Sequence, residues 1–189
     1  MRFAHIGTRP LETERLALRE FRYSDNATVL KNWAGDPLIQ KMYSEPVYST
    51  AEEVNTLLCK YISAYAADEA YRWAITLRGG EECIGQIAYF MVNAANGWGE
   101  IEYCIGREYQ NKGYVTEAVK RILQYGFEDM GLHKVQICHK SNNAPSKRVI
   151  EKCGFVYEGT LRDFFYIDGE YLDRLYYSML ENEWAQGRR

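Results

Sequence analysis

Three strand-like segments follow one another in the middle of the chain, separated only by short polar turns. The runs YRWAITL at 71–77, CIGQIAYFMV at 83–92 and WGEIEYCI at 98–105 are rich in β-branched and aromatic residues. The connections RGGEE and NAANG are short enough to close hairpins. The sequence therefore predicts three successive antiparallel strands at the centre of the fold.

Helices and strands alternate after these three strands. An apolar stripe at helical spacing predicts a helix over 114–130 that packs on a sheet and ends at Gly131. The run HKVQICH at 133–139 predicts a strand, and the next segment predicts a helix between a cap at Asn143 and a stop at Gly154. Strands alternating with helices indicate an α/β (α+β) layer fold.

The two ends of the chain complete this pattern. RLALREF at 15–21 predicts a strand, and Ser24 or Asp25 is placed to cap a helix that reaches Trp33. A capping box from Thr50 to Glu53 predicts a second helix over 49–65. Near the other end, LRDFFYI and YLDRLYYSML flank an Asp-Gly turn, which predicts a hairpin. We expect one domain over 1–189.

Composition excludes several classes of protein. With 47% hydrophobic and 26% charged residues, the chain is typical of a globular protein, and no apolar run is long enough to span a membrane. The start lacks the apolar segment of a signal peptide, and five scattered cysteines favour reduced thiols, so we expect a cytoplasmic protein. Neither cysteines nor histidines have metal-site spacing, and a net charge of −3 does not favour nucleic-acid binding.

A glycine stands where the helix over 114–130 begins, directly after a strand. Lys112 precedes Gly113, which does not fit the phosphate loop of nucleotide hydrolases, and GxGxxG is absent. A helix N-terminus offers free N–H groups and partial positive charge, and glycine lets a ligand approach the backbone. This junction therefore predicts either a site for a pyrophosphate held by amides or an ordinary start of a helix.

Four stretches together resemble a known family. YQNKGYVTEAV at 109–119 resembles the Q/R-x-x-G-x-G/A signature of the GCN5-related N-acetyltransferases, and SNNAPSKRVIEKCGF at 141–155 resembles their next motif. The opening LETERLALREF and the tail EGTLRDFFYIDGEYLDRLYYSML resemble the RimJ/RimL-type branch, which includes ribosomal-protein alanine N-acetyltransferases. The resemblance covers about residues 10–184, with all four motifs in the family's order.

The resemblance implies a fold and an activity. It implies a mostly antiparallel, twisted sheet whose two middle strands splay apart to admit acetyl-CoA, with no metal. It implies direct transfer of the acetyl group to a primary amine in a ternary complex, and we expect a protein N-terminal α-amine as the acceptor. The alternatives are a small-molecule acetyltransferase acting on a polyamine, amino acid or aminoglycoside, and a CoA-binding module without catalysis. The sixteen tyrosines are consistent with a homodimer as well as with a binding cleft.

The resemblance also implies which residues hold the cofactor. The strand before the glycine would pair through its backbone with the pantetheine arm. The loop and the first helical turn would hold the diphosphate, and the next helix would contribute an amide and a hydroxyl near the sulfur. The implied cofactor residues are Tyr103, Cys104, Ile105, Gln110, Asn111, Lys112, Gly113, Tyr114, Val115, Thr116, Asn143 and Ser146.

For catalysis we predict Glu100, Glu102 and Ser146. Alternation along the strand places both glutamates on one face, where either could accept the amine proton through water; a solvated strand face is the alternative. Ser146 would donate a hydrogen bond to the departing thiolate. The sequence departs from the family at Val115, which crowds the diphosphate side, and at Ile150, where many relatives carry a proton-donating tyrosine.

Overall fold

The computed structural model describes residues 3–43 and 45–187. One eight-stranded sheet runs through them in the order β1-β2-β3-β4-β5-β6-β8-β7. Neighbouring strands are antiparallel except for β5 and β6, which are parallel. The strands are β1 (Leu11–Glu12), β2 (Leu16–Arg19), β3 (Arg72–Leu77), β4 (Cys83–Asn93), β5 (Trp98–Ile105), β6 (Lys134–Lys140), β7 (Val156–Ile167) and β8 (Glu170–Leu180).

Helices cover both faces of the sheet. Two of them continue into a π-helical turn, α1 over Leu30–Ala34 and α4 over Tyr125–Asp129. The helices are α1 (Asn26–Val29), α2 (Pro37–Tyr43), α3 (Ala51–Ala64), α4 (Tyr114–Gln124), α5 (Ala144–Lys152) and α6 (Glu181–Gln186). The predicted α/β (α+β) class and the three central antiparallel strands are confirmed.

Two hydrophobic clusters lie on opposite faces of the sheet. One cluster packs α4 and α5 against the sheet around the fully buried Trp73, and includes Ile122 and Ile150. The other packs α1 and α3 against the opposite face, with Trp33 and Leu58 at its centre. Among the described residues, no helix is long and apolar enough to cross a membrane.

The sheet divides where its two parallel strands meet. Pairing between β5 and β6 runs only from Trp98–Lys134 to Glu100–Gln136, although β5 continues to Ile105 and β6 to Lys140. On its other side β5 pairs with β4 along its whole length. The expected splay of the middle strands is therefore present, and it leaves one edge of β5 facing a gap.

Local signals place several elements as predicted. The Thr50 hydroxyl accepts the Glu53 N–H and caps α3. Gly131 and Gly154 take left-handed conformations, with φ of +74° and +84°, where α4 and α5 end. Asp168 and Gly169, both at positive φ, form the predicted tight turn between β7 and β8.

Other elements differ from the prediction. The first helix is preceded by a 3-10 turn at Tyr23–Asp25. Asp25 stands at the N-cap position of α1, but its side chain accepts the Arg22 N–H at 2.8 Å instead of an N–H of α1. The sequence reasoning missed β1, α2 and α6, which are all seven residues or shorter. Strand β7 begins at Val156, earlier than the predicted Leu161.

Candidate active site

A cavity of about 450 Å³ opens at the divergence of β5 and β6. It is lined by the end of β5, the loop before α4, the first turn of α4, one side of α5 and one side of α2. All of the predicted cofactor residues except Lys112 line it. The structure thus brings together three separate sequence motifs around one space, which is large enough for a small organic ligand.

The start of α4 forms one end of this cavity, which we call the helix-mouth end. Gly113 occupies the N-cap position with φ +82°, and no side chain caps the helix. The preceding loop residue Asn111 also has positive φ, +59°. Because the first N–H groups of a helix lack intrahelical acceptors, those of Tyr114, Val115 and Thr116 are available to an anion. This donor set suits a diphosphate.

An arginine that sequence reasoning missed holds the helix mouth in place. Arg15 donates to the Lys112 carbonyl at 3.0 Å and to the Glu117 carboxylate at 2.7 Å. A Cβ at Gly113 would lie 3.3 Å from the Arg15 guanidinium, so the backbone approaches closely here. Lys112 itself lies with its ammonium 5.6 Å from the centre of the Tyr109 ring, outside the cavity lining.

The start of α5 forms the other end, which we call the hydroxyl end. The Asn143 side chain accepts the Ser146 N–H at 3.2 Å, so it caps the helix as predicted. The Ser146 hydroxyl and the Tyr103 hydroxyl are 2.9 Å apart, and the Tyr103 hydroxyl is also 3.3 Å from the Ser146 carbonyl oxygen. Burial raises the pKa of the Tyr103 phenol above its ordinary value, so this tyrosine stays protonated.

Two residues near the hydroxyl end carry no acid–base role. Burial raises the pKa of the Cys104 thiol, so Cys104 is suited to be a buried small side chain rather than a nucleophile. Ile150 is fully buried on α5, one turn after Ser146. The departure from the family at Ile150 therefore leaves an apolar contact where a tyrosine hydroxyl would be.

The two predicted bases lie outside the cavity lining, and each is ion-paired. Glu100, which is 3% exposed, accepts hydrogen bonds from Arg174 and Gln136, both at 2.8 Å. Glu102 accepts from Arg72 at 2.7 Å, and its side chain is 26% exposed. Sequence alternation correctly placed both on one face, but it did not reveal the arginines, which come from β8 and β3.

Helix α2 supplies a wall that sequence reasoning missed. Its residues Leu38, Ile39, Met42 and Tyr43 line the cavity opposite α5. The Asp36 carboxylate accepts the Leu38 N–H at 2.9 Å, so Asp-Pro before an apolar run was the overlooked signal of a capped helix start.

Two lysines join α2 to the β7–β8 hairpin across the gap. Lys41 on α2 pairs with Asp168 in the hairpin turn. Lys140 at the end of β6 donates to the Met42 carbonyl at 2.5 Å and lies 4.8 Å from the centre of the Phe165 ring. In the parts of the chain that the structure describes, no cluster of three or more histidine, cysteine or acidic residues could hold a metal ion.

Sequence comparison agrees with this geometry. Residues 15–156 match the family model of the acetyltransferase (GNAT) domain. A Bacillus subtilis (strain 168) protein named uncharacterized N-acetyltransferase YnaD is 32% identical over 92% of this chain and 98% of its own length. The chain therefore belongs to the GNAT family of acetyltransferases.

Solved structures lead to the same family. An acetyltransferase of the GNAT family from Bacillus anthracis superposes with a TM-score of 0.81 at 30% identity, over 93% of this chain and all of that one. Spermidine N-acetyltransferase from Vibrio cholerae, solved with CoA and spermine, has a TM-score of 0.78 at 25% identity, over 92% and 99% of the two chains. Ribosomal-protein-S5-alanine acetyltransferase from Vibrio fischeri, at 23% identity, shares the fold with a TM-score of 0.78 over 93% and 98%.

The protein is thus an N-acetyltransferase with the fold of the RimJ/RimL-type enzymes. Its family uses acetyl-CoA, and one structural neighbour was solved with CoA. The geometry of the cavity also fits CoA independently of these comparisons. The uncapped N–H groups after Gly113 suit its diphosphate, and the unpaired edge of β5 suits its extended pantetheine arm.

Proposed function

We propose that this chain acetylates the N-terminal α-amine of a polypeptide, with acetyl-CoA as the donor. The observation that carries the proposal is the state of the two carboxylates on β5. Glu100 and Glu102 are the predicted bases on β5, and each is already paired with an arginine. Neither provides the uncompensated negative charge that would hold a polyamine.

Acid–base chemistry supports the same acceptor. An α-amine titrates near 8, whereas a lysine side chain titrates near 10.4. An α-amine is therefore partly neutral near pH 7 and needs only a weak base as it attacks. Both predicted carboxylates already accept hydrogen bonds from arginine, so the site suits the amine that needs the least help in losing its proton.

The surroundings of the cavity favour an extended acceptor over a small enclosed one. Several large side chains are exposed on α2, which lines the cavity, and on the β7–β8 hairpin, which Lys41 and Asp168 join to α2. Phe164 is 48% exposed, Tyr166 66%, Tyr171 64% and Leu38 59%. Aromatic and apolar side chains on an open rim can contact the residues that follow a peptide N-terminus.

Acetyl-CoA supplies an activated acyl group, and the residues of this chain bind and orient it. The N–H groups after Gly113 would hold the diphosphate, and the free edge of β5 at Tyr103 to Ile105 would hold the pantetheine arm. A backbone N–H on that edge would polarise the carbonyl. The amine gives up one proton as it forms the amide, and the thiol product gains one, so the charges balance.

Of the two proposed bases, Glu102 has the better position. Its side chain is 26% exposed, so water can connect it to an amine. Glu100 is 3% exposed with both oxygens engaged, which suits a residue that joins β5 to β6 and β8. We propose that Glu102 accepts the amine proton through water and that Glu100 maintains the geometry of the strands around the gap.

A polyamine is the second candidate acceptor. It is favoured by the likeness to the spermidine N-acetyltransferase that was solved with CoA and spermine. The experiment is to follow thiol release from acetyl-CoA with alanine- and serine-starting peptides, a lysine peptide with a blocked N-terminus, spermidine and an aminoglycoside.

The panel separates the candidates by which amine releases thiol. We expect turnover with the free-N-terminus peptides and at most slow turnover with spermidine. Turnover with spermidine alone would contradict the proposal and support the second candidate. Binding of acetyl-CoA without turnover of any amine would contradict both, and it would favour a CoA-binding module.

A further inference from the structure

We propose that the hydroxyl groups of Tyr103 and Ser146 act as one unit that donates a hydrogen bond to the thiolate leaving acetyl-CoA, with Tyr103 as the positioning residue. The inference rests on the proposed function, because it concerns the sulfur end of the same cavity. It assigns to the Tyr103 side chain a role that the family motif does not give it, since the motif uses only the backbone of this strand.

The starting point is a missing donor. Ile150 on α5 is fully buried in an apolar cluster and has no hydrogen-bond donor in its side chain. Residues four apart on a helix share a face, so Ser146 and Ile150 point the same way from α5. Ser146 thus lies one helical turn before Ile150, and its hydroxyl is the side-chain donor on this face of α5.

The Tyr103 side chain reaches the Ser146 hydroxyl from the opposite side of the cavity. Tyr103 lies on β5, and its hydroxyl is 2.9 Å from the Ser146 hydroxyl and 3.3 Å from the Ser146 carbonyl oxygen. Both residues line the cavity. The contact spans the gap between β5 and α5, so the two hydroxyls are held by elements on opposite sides of the cavity.

Two hydroxyls that share one hydrogen bond use only one of their two protons. If the single Tyr103 proton is shared between the carbonyl and hydroxyl oxygens of Ser146, at 3.3 and 2.9 Å, the serine proton is left to point into the cavity. This arrangement keeps the serine oxygen occupied, so its remaining proton is directed rather than free to rotate. A hydrogen bond to a charged sulfur is stronger than one between neutral groups, so the arrangement favours the thiolate as it forms.

The neighbouring titratable groups do not compete for this role. Burial keeps the Tyr103 phenol protonated by raising its pKa. The thiols of Cys138 and Cys153 also lie near it, and burial raises the pKa of Cys138 and raises that of Cys153 to about 11. All three groups are therefore neutral near pH 7. The Cys138 sulfur already accepts a hydrogen bond from Arg174 at 3.1 Å, which leaves the Tyr103–Ser146 hydroxyl pair without competition from it.

The test uses a readout that does not depend on catalysis. The thiol pKa of enzyme-bound CoA is measured from thiolate ultraviolet absorbance between about pH 6 and 10, with desulfo-CoA as the blank, because a free thiol titrates near 8.5. The proteins are the unmodified chain, Ser146→Ala, Tyr103→Phe and the double variant. A donor to the charged form lowers its pKa, so each single variant is expected to raise the bound-thiol pKa by about one unit.

Because the two hydroxyls act as one unit, the double variant is expected to raise the pKa no further than either single variant. Turnover should show the same pattern, with kcat about tenfold lower in each variant and KM for acetyl-CoA unchanged. Tyr89→Phe is the matched control, since Tyr89 also loses a buried hydrogen bond to a backbone carbonyl, that of Ile122 at 2.8 Å, away from the cavity.

Several outcomes would overturn the inference. One is a bound-thiol pKa in Tyr103→Phe equal to that of the unmodified chain, which would leave Ser146 acting alone. Another is additive shifts in the double variant, or a shift of the same size in Tyr89→Phe. A thiol shift without turnover of any amine would support the inference and remove the acceptor proposal, so the two can fail separately. Loss of CoA binding by the unmodified chain would remove both.

Discussion

Two helices begin at the same cavity, and their first turns are completed in opposite ways. Helix α4 starts at a left-handed glycine with no side-chain cap, whereas α5 starts at Asn143, whose side chain accepts the Ser146 N–H. The first arrangement leaves backbone donors for a ligand, and the second satisfies one within the chain. We therefore propose that the helix-mouth end binds a phosphate anion and that the hydroxyl end positions side chains.

The two ends of the cavity should therefore affect different kinetic constants. Interactions that hold a remote part of a substrate contribute to binding, whereas interactions at the reacting atoms appear only in the transition state. Changes at the helix-mouth end should therefore act on the affinity for acetyl-CoA. Changes at the hydroxyl end and on β5 should act on kcat.

The largest effect is expected from Gly113→Val. Valine at φ +82° is strained, and its Cβ would lie 3.3 Å from the Arg15 guanidinium, so the loop must move and the N–H groups lose their alignment. Loss of two hydrogen bonds to a charged group should weaken acetyl-CoA binding at least about a hundredfold by calorimetry. Gly79→Val is the matched control, because Gly79 has φ +77° in a distant hairpin with open space around it. Equal affinity in both variants would mean that Gly113 only starts the helix.

The next largest effect separates the two glutamates on β5. Glu102→Gln should lower kcat about tenfold with little change in stability, because it removes a base that water can reach. Glu100→Gln should instead lower the free energy of unfolding by about 2 kcal/mol, since it weakens a buried charge-assisted bond to Arg174. Stopped assays of initial rate and urea titrations measure the two effects. A lower kcat in Glu100→Gln together with a lower stability in Glu102→Gln would instead identify Glu100 as the base.

A smaller effect tests the capping side chain of α5. Asn143→Asp keeps an acceptor for the Ser146 N–H, so stability should hold, but it removes the amide donor proposed for pantetheine. We expect acetyl-CoA affinity about tenfold lower in this variant by calorimetry. Asn143→Ala should show that loss together with a loss of about 1 kcal/mol in the free energy of unfolding. If Asn143→Asp binds normally, Asn143 serves only as a cap.

The smallest effect should come from Val115→Ala. Val115 lines the cavity in the first turn of α4. Removing its two methyl groups should relieve crowding of the diphosphate and tighten acetyl-CoA binding about threefold, a free-energy change at the small end of those caused by overpacking. Val119→Ala, one turn on and fully buried outside the cavity lining, should lower stability without changing affinity. Weaker binding in Val115→Ala would show that the valine contributes a contact instead.

Much of the fold was predictable because its signals are local. The Thr50–Glu53 cap, the Asp168–Gly169 turn and the left-handed Gly131 each follow from a few adjacent residues. The cavity residues followed from motifs, since the resemblance places whole segments at once. Helix α2 was missed although Asp36 and Pro37 carry a helix-start signal, because seven residues give too little periodicity to weigh against a loop.

The rest could not be read from local pattern because it depends on residues far apart in the chain. Arg174 reaches Glu100 from 74 positions away, and Arg72 reaches Glu102 from 30. Those pairings turn two glutamates with the same sequence context into one buried structural group and one partly exposed group. The Tyr103–Ser146 contact spans 43 positions and closes only when β5 and α5 face each other across the gap.

One measurement tests the central claim most directly. A single peptide with a free alanine N-terminus and an internal lysine is incubated with acetyl-CoA beside an equal concentration of spermidine, and mass spectrometry locates the acetyl group. The compensated carboxylates of β5 predict acetylation of the α-amine, with lysine and spermidine largely unmodified. Acetyl-spermidine as the main product, with the peptide N-terminus left free, would contradict the account.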